Sequence, residues 1–215
     1  MADAILYDYW RSSASYRVRI ALNLKGISYD AVNISLLDGT QSTADHLARN
    51  PQGFVPALEI DGLMLTQSVA IIEYLDACHP DPALMPTDLA EAARLRAITH
   101  AVAMDIHPIC NLNVMNHHAA AFDGDLDDKK AWVRHFIGKG LRAVEIMANH
   151  PNTGAFLHGD TPGIADIVLV PQMYNARRWG VALEEMPRLT AIEEACLALP
   201  AFAAAVPEAV KPDDS

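Results

Sequence analysis

Hydrophobic spacing changes character near residue 80. Short apolar runs alternate with helical stretches before it, and helical spacing dominates after it. The run Ala4 to Tyr7 reads as a buried strand that ends in Asp8-Tyr9-Trp10. Val18, Ala21, Leu22 and Leu24 then recur at helical spacing, and Gly26 stops the pattern. Residues 27–34 predict a second strand, 37–43 a polar loop and 44–49 a short helix, and Asn50-Pro51-Gln52-Gly53 is turn chemistry. Val55 to Ile60 and Leu63 to Leu65 flank Asp61-Gly62, a hairpin signal. A helix carrying Val69, Ile71, Ile72, Tyr74 and Leu75 opens at Gln67-Ser68. The order β-α-β-α-β-β-α predicts a mixed sheet with helices packed on it.

Residues 79–90 are rich in Pro and Asp and read as a linker. Beyond them, helices are expected near 89–118, 128–149, 163–179 and 187–198, broken by Gly124, Pro151 and Pro187. The tail from Pro207 to Ser215 is expected to fray. The fold class is therefore α/β plus all-α, with one domain over residues 1–80 and an all-helical one over 88–215.

At 215 residues the chain can bury a sizeable core in one or two domains. No stretch approaches the ~18–20 uninterrupted apolar residues that cross a bilayer, so no membrane partner is expected. Met1-Ala2-Asp3-Ala4 has no basic segment leading into an apolar one, so no secretory leader is expected. Cys78, Cys110 and Cys196 are odd in number and widely spaced. That argues against a disulfide framework or zinc cluster and predicts a reducing, cytoplasmic setting. A net charge of −11 makes nucleic acid a poor partner, and local arginines stand out against it.

The most informative stretch is Arg11-Ser12-Ser13-Ala14-Ser15-Tyr16-Arg17-Val18-Arg19. A strand delivers three hydroxyls and an arginine to a helix start, where unpaired N–H groups carry about half a positive charge. These conditions lower a thiol's pKa, so a thiolate placed there is stabilised. No cysteine lies in the loop, so the thiol has to come from a ligand. Serine at such a position also caps a helix with no ligand at all. The loop alone leaves both readings open.

Three further constellations bear on chemistry. Val55-Pro56 places proline at a strand start, where a cis bond turns the preceding backbone groups toward a peptide ligand. Gln67-Ser68 opens a helix with an amide, a hydroxyl and N–H groups, which suit a carboxylate or simply form another cap. In the helical half, His100, Met104, His107, Asn111, Met115 and His118 follow at spacings of 4, 3, 4, 4 and 3, which places them on one helix face. No metal site is expected there, since no acidic partner or HExxH pattern accompanies the histidines. Pro108 predicts a kink. His107, Asn111 and Asn113 either line a polar cleft facing the first half or belong to a partly solvated groove. Arg177-Arg178 end a predicted helix, as dipole partners or as forked carboxylate ligands.

Taken together, the serine loop running into Arg17-Val18-Arg19-Ile20-Ala21-Leu22, Val55-Pro56, Gln67-Ser68 and the all-helical second half resemble a glutathione transferase. Arg11 to Leu22 is similar to the zeta class in particular. Asp105-Ile106-His107-Pro108-Ile109, Gly159-Asp160-Thr161-Pro162 with Ala165-Asp166, and Val170-Pro171-Gln172 through Asn175-Ala176-Arg177-Arg178 match the same class. The resemblance covers nearly the whole chain. It implies a thioredoxin-like first domain, glutathione as cofactor, a two-fold homodimer and a place in aromatic amino acid catabolism.

The implied activity is glutathione-dependent cis–trans isomerisation of a maleyl-type dicarboxylic acid, maleylacetoacetate or maleylpyruvate. Conjugating or dehalogenating small electrophiles, or non-catalytic binding, are the alternatives. By resemblance, Ser12 steadies the glutathione thiolate, with Ser13, Ala14, Ser15 and Arg17 in the supporting loop and helix. Val55, before a cis Pro56, pairs with the cysteinyl backbone. Gln67 and Ser68 hold the γ-glutamyl end, and Gln41 reaches the glycyl end. His107, Asn111 and Asn113 stand where the family contacts glutathione from its helical domain, and Arg11 and Arg178 where the isomerases hold substrate carboxylates. Ala14 replaces the usual cysteine, Asn113 a common arginine, and Gly163 the usual threonine of a capping box. Glycine at an N-cap costs only about a few tenths of a kcal/mol, so the helix at Ile164 is expected regardless.

Overall fold

The structure, a computed structural model, describes residues 2–212. It forms two compact units: the chain up to Leu84 together with the segment from Leu197 onward, and Met85–Cys196.

The first unit is built on four strands, β1 (Ala4–Asp8), β2 (Tyr29–Asn33), β3 (Ala57–Ile60) and β4 (Leu63–Thr66), in the order β2-β1-β3-β4. β1 runs parallel to β2, with Ala4 opposite Tyr29, and antiparallel to β3, with Ala4 opposite Ile60. The apolar run of β1 becomes an inner strand because it is paired on both edges. Asp61 and Gly62, both at positive φ (54° and 74°), turn β3 into β4 as the Asp-Gly signal predicts. Helices α1 (Ser13–Leu24), α2 (Ala44–Arg49) and α3 (Ser68–Cys78) complete the expected β-α-β-α-β-β-α order. Val18, Ala21 and Leu22 of α1 and Ile71, Ile72 and Leu75 of α3 are buried, which is the helical spacing read from the sequence. The unit is thioredoxin-like.

The linker is anchored by Lys25 at the end of α1. Its Nζ donates to Asp76 Oδ1 at 2.7 Å and to the carbonyls of His79 and Pro82, both at 2.6 Å. Those three acceptors use all the donors an ammonium has. Asp81-Pro82 is cis, which sequence reasoning did not anticipate.

The C-terminal segment differs from expectation. Rather than extending the helical domain to residue 215, it returns to the first unit. Asn23 Nδ2 donates to Ala201 O at 2.9 Å, and Arg19 Nε to Ala205 O at 3.1 Å. Phe202 and Pro207 are buried, so the chain is packed as far as the start of the tail expected to fray; Glu208, Ala209 and Lys211 are exposed, and 213–215 lie outside the described residues. An apolar side chain inserted into a core outweighs the tendency of termini to loosen.

In the second unit the single helix expected over 89–118 is divided. Asp88 caps α4 (Leu89–His100), accepting from Glu91 N–H at 2.9 Å. The backbone then widens over Ala101–Ile106, where His107 N–H reaches back five residues to Val102 O at 3.0 Å. Pro108 has no N–H to continue the ladder, a tight turn covers Pro108–Cys110, and Asn111 caps a new helix, α5 (Leu112–Ala121). The proposed common face is thereby broken: Met104 is exposed and Met115 buried.

α6 (Leu126–Met147) starts at a reciprocal capping box between Asp125 and Asp128. Gly140 lets α6 approach the widened segment, since a Cβ there would lie 2.3 Å from Ile106 Cγ1. α7 (Ile164–Trp179) and α8 (Pro187–Leu197) follow, and α7 forms despite Gly163 at its N-cap, as expected. Glycine has no side chain to cap with, but Asp166 supplies the other half of the box, accepting from Gly163 N–H at 2.9 Å.

Candidate active site

In the first unit, Ser12 is the N-cap of α1, and its Oγ accepts from Ser15 N–H at 3.2 Å. The capping reading is therefore realised. It does not exclude the other one, because a hydroxyl that accepts an N–H keeps its own proton to donate elsewhere. Ser12 is half-buried, as is Ala14, whereas Ser13 and Ser15 are buried. Ser15 Oγ lies wholly inside and has no partner among the described residues.

Two of the three cysteines are unfavourable as thiolates. Burial pushes the Cys110 thiol up to about 11 and raises Cys196 further. Cys78 is exposed on α3.

Arg11 is held against an aromatic shelf. Its Nη2 donates to Tyr9 Oη at 2.9 Å, and its Cζ lies 4.9 Å over the Trp10 ring. Lys211 Nζ lies 5.5 Å from the same ring. Two cations on one aromatic shelf suit an anionic ligand. In the sequence Tyr9 and Trp10 mark only the end of a strand; aromatic residues flanking an arginine are the signal that points to the shelf.

The Val55-Pro56 bond is cis. The loop leading to it is fixed at Phe54, whose carbonyl accepts from His46 Nε2 and Asn50 Nδ2, each at 2.9 Å. Gln41 sits in the turn Thr40–Ser42, with its Oε1 buried and unpartnered among the described residues. Gly53, at φ 65°, brings the two loops together: a Cβ there would stand 3.2 Å from the Gln41 carbonyl.

Gln67 holds the N-cap position of α3 at φ 69°, a backbone conformation uncommon outside glycine. Its side chain does not cap the helix; Nε2 donates instead to Gln52 Oε1 at 2.7 Å. In the sequence Gln52 shows only as part of a turn. Ser68 is buried beside it and accepts from Arg17 Nη1 at 3.2 Å. One arginine of the serine-loop motif thus reaches the start of α3.

The second unit places its expected residues before and at the start of α5 and at the end of α7. His107 is half-buried before Pro108. Asn111 spends its Oδ1 on the Leu112 N–H at 2.7 Å, and the exposed Asn113 on the Val114 N–H at 2.9 Å, so each retains its amide donors for a ligand. Arg177 and Arg178 separate in role. Arg177 forms a forked pair with the buried Glu193, which also raises its pKa. Arg178 is exposed, with its Cζ 5.0 Å over the Trp179 ring. Among the described residues no cluster could hold a metal ion.

A thioredoxin-like unit with a hydroxyl-capped α1, a cis Val55-Pro56 bond and a serine at the start of α3 defines a glutathione transferase, and the family model "Glutathione S-transferase, N-terminal domain" matches residues 2–77. The chain is 54% identical over 211 residues to the maleylacetoacetate isomerase of Rhizobium meliloti (strain 1021), covering 98% of this chain and 99% of that one. A solved holo structure of maleylpyruvate isomerase, described as a bacterial zeta-class glutathione S-transferase, superposes with a TM-score of 0.94 at 41% identity, over 97% of this chain and 99% of that one. The maleylacetoacetate isomerase of Anaeromyxobacter dehalogenans 2CP-1, solved with glutathione in its active site, gives 0.88 at 44% identity, over 99% and 98%. This chain belongs to the zeta-class glutathione transferase family.

Proposed function

We propose that this protein is a glutathione-dependent isomerase that converts a cis maleyl-type dicarboxylate, maleylacetoacetate or maleylpyruvate, into its trans isomer. The observation that carries the reading is Ser12: its Oγ accepts the Ser15 N–H at the N-terminus of α1 and so keeps its own proton to donate. The close likeness to named isomerases supports the substrate class.

The first unit fits glutathione on its own chemistry, with a thiolate-compatible helix start, a buried hydroxyl backed by a cation at Ser68 and an unpartnered buried amide oxygen at Gln41. Bound glutathione supplies a thiolate that adds reversibly to the conjugated double bond, which permits rotation about the resulting single bond before the thiolate leaves unchanged. Ser12 donates to that sulfur and, with the dipole of α1, keeps it ionised. Val55 offers backbone groups to the cysteinyl residue, Gln67 and Ser68 take the γ-glutamyl end, and Gln41 the glycyl end. His107, Asn111 and Asn113 add polar contacts from the helical unit. Arg11 and Arg178 hold the substrate carboxylates, since a guanidinium matches a carboxylate in a forked geometry. Ala14 means that no loop cysteine takes part.

The same reading includes a cytoplasmic homodimer. Leu63 and Met64 of edge strand β4, 45% and 38% exposed in the single chain, support a covered edge. Light scattering of the purified protein tests the assembly. Assay of both maleyl substrates with and without glutathione tests the activity: turnover that requires glutathione without consuming it is expected. Stoichiometric consumption would instead make the protein a conjugating transferase, and no turnover with either substrate would remove the isomerase reading.

A further inference from the structure

Arg17 is 1% exposed, and among the described residues only one of its three guanidinium nitrogens has a partner. Nη1 donates to Ser68 Oγ at 3.2 Å, while Nε and Nη2 have none. Arg19, two residues along the same helix, shows a satisfied counterpart, with all three nitrogens bonded to Asp8, Trp10 O and Ala205 O. A buried charge lacking its counter-ion is costly, and a fold keeps one where something else makes use of it. Burial lowers the Arg17 guanidinium to about 10, which still leaves it protonated at neutral pH.

The bond to Ser68 has only one possible polarity. Arginine has no acceptor, so Ser68 Oγ must accept, and the single proton of Ser68 is left to give away. Ser68 is also the first residue of α3, an eleven-residue helix whose leading N–H groups favour an anion. A buried cation, a hydroxyl fixed as a donor and a helix start thus converge on one spot. A carboxylate is the ligand chemistry that answers all three.

We propose that Arg17 is a positioning residue for the γ-glutamyl carboxylate of glutathione: it fixes the Ser68 hydroxyl as a donor and is the buried counter-charge of that carboxylate. This rests on the reading that Ser68 receives the γ-glutamyl end. Arg17 touches no reacting atom; it acts through Ser68.

Calorimetric affinities for two probes test the idea: glutathione, and 4-aminobutanoyl-cysteinylglycine, which is the same tripeptide without that carboxylate. The native protein is expected to prefer glutathione. Arg17→Met should weaken glutathione by about 10- to 100-fold and leave the analogue nearly unchanged, because a charge-assisted hydrogen bond is worth that much. Ser68→Ala should also narrow the preference, and Arg17→Lys should restore part of it. A merely structural arginine would weaken both probes alike. If Ser68→Ala loses the preference and Arg17→Met keeps it, the role of Arg17 is overturned while the reading of Ser68 stands. If Ser68→Ala keeps it, both fall. Should Arg17→Met fail to fold, the arginine guanidinium nitrogen signals of the native protein decide: Arg17 Nε must move with glutathione and not with the analogue, and equal movement overturns the proposal.

Discussion

Both carboxylate oxygens of Asp8 accept from one guanidinium nitrogen of Arg19, at 2.8 and 2.7 Å, with both side chains buried. Arg19 also donates to the carbonyls of Trp10 at 3.0 Å and Ala205 at 3.1 Å. It therefore ties the end of β1 to the start of the serine loop and to the C-terminal segment. Arg19→Met leaves the Asp8 charge buried and unpaired, a loss of about 3–5 kcal/mol. Thermal melting should show it as a clearly lower midpoint. Replacing both residues with apolar ones should recover much of the loss, because the desolvation cost disappears along with the pair. A double variant as unstable as Arg19→Met would argue against this account.

Ser12 caps α1, and a pair of substitutions can separate that structural role from the proposed chemical one. Ser12→Ala removes the cap of α1, at about 0.5–2 kcal/mol. It also removes the proposed donor to the thiolate, and a loss of about 100-fold in isomerisation is expected from a missing donor at a developing or held anion. Ultraviolet titration of bound glutathione should show its thiol ionising at higher pH. Ser12→Thr keeps a hydroxyl and should retain much of both. An ionisation curve that Ser12→Ala leaves in place would reduce Ser12 to a helix cap.

The adjacent arginines at the end of α7 should respond to substitution differently in substrate affinity. Arg177 is committed to Glu193, whose carboxylate is buried, so Arg177→Met leaves an unsatisfied charge and should lower stability by about 1–3 kcal/mol with little change in KM. Arg178→Met should raise KM for the dicarboxylate by about 10-fold or more, the loss of one charged hydrogen bond. Steady-state kinetics beside melting curves distinguish the two. The reverse pattern would reassign the substrate contact to Arg177.

How far the sequence could be read depended on whether a signal was local. The Asp61-Gly62 hairpin, the helix over Ala44–Arg49 and the serine cap of α1 rest on a few adjacent residues, and all are where spacing placed them. The long helix over 89–118 was misread because apolar spacing does not register a change in winding; the structure loosens it over Ala101–Ile106 and restarts it at Asn111. The return of the tail to the first unit depends on Asn23, Arg19 and Phe202, a set of contacts with no local signature. The same holds for the arginines of Arg17-Val18-Arg19. Residues two apart on a helix point in different directions, and only the tertiary fold reveals that one lies beneath Ser68 and the other on Asp8.

Asp166 supplies a pH signature within the second unit. Its Oδ1 accepts from Leu157 N–H and its Oδ2 from Gly163 N–H, each at 2.9 Å. Burial raises its pKa to about 6 in spite of those donors, against 3.8 for the free side chain. Between these values the folded state binds the extra proton, so the stability linked to this group is full below 3.8 and is lost as pH rises through about 6. The shift corresponds to about 3 kcal/mol at most. Asp166→Asn cannot titrate, and it replaces one acceptor with an amide donor facing a backbone N–H, so it should be less stable than the native protein throughout. The gap between the two should narrow as pH rises from 4 to 7, and melting curves across that range measure it. A gap that stays constant, or widens with pH, would mean that the backbone donors outweigh burial and that Asp166 enters the fold already ionised.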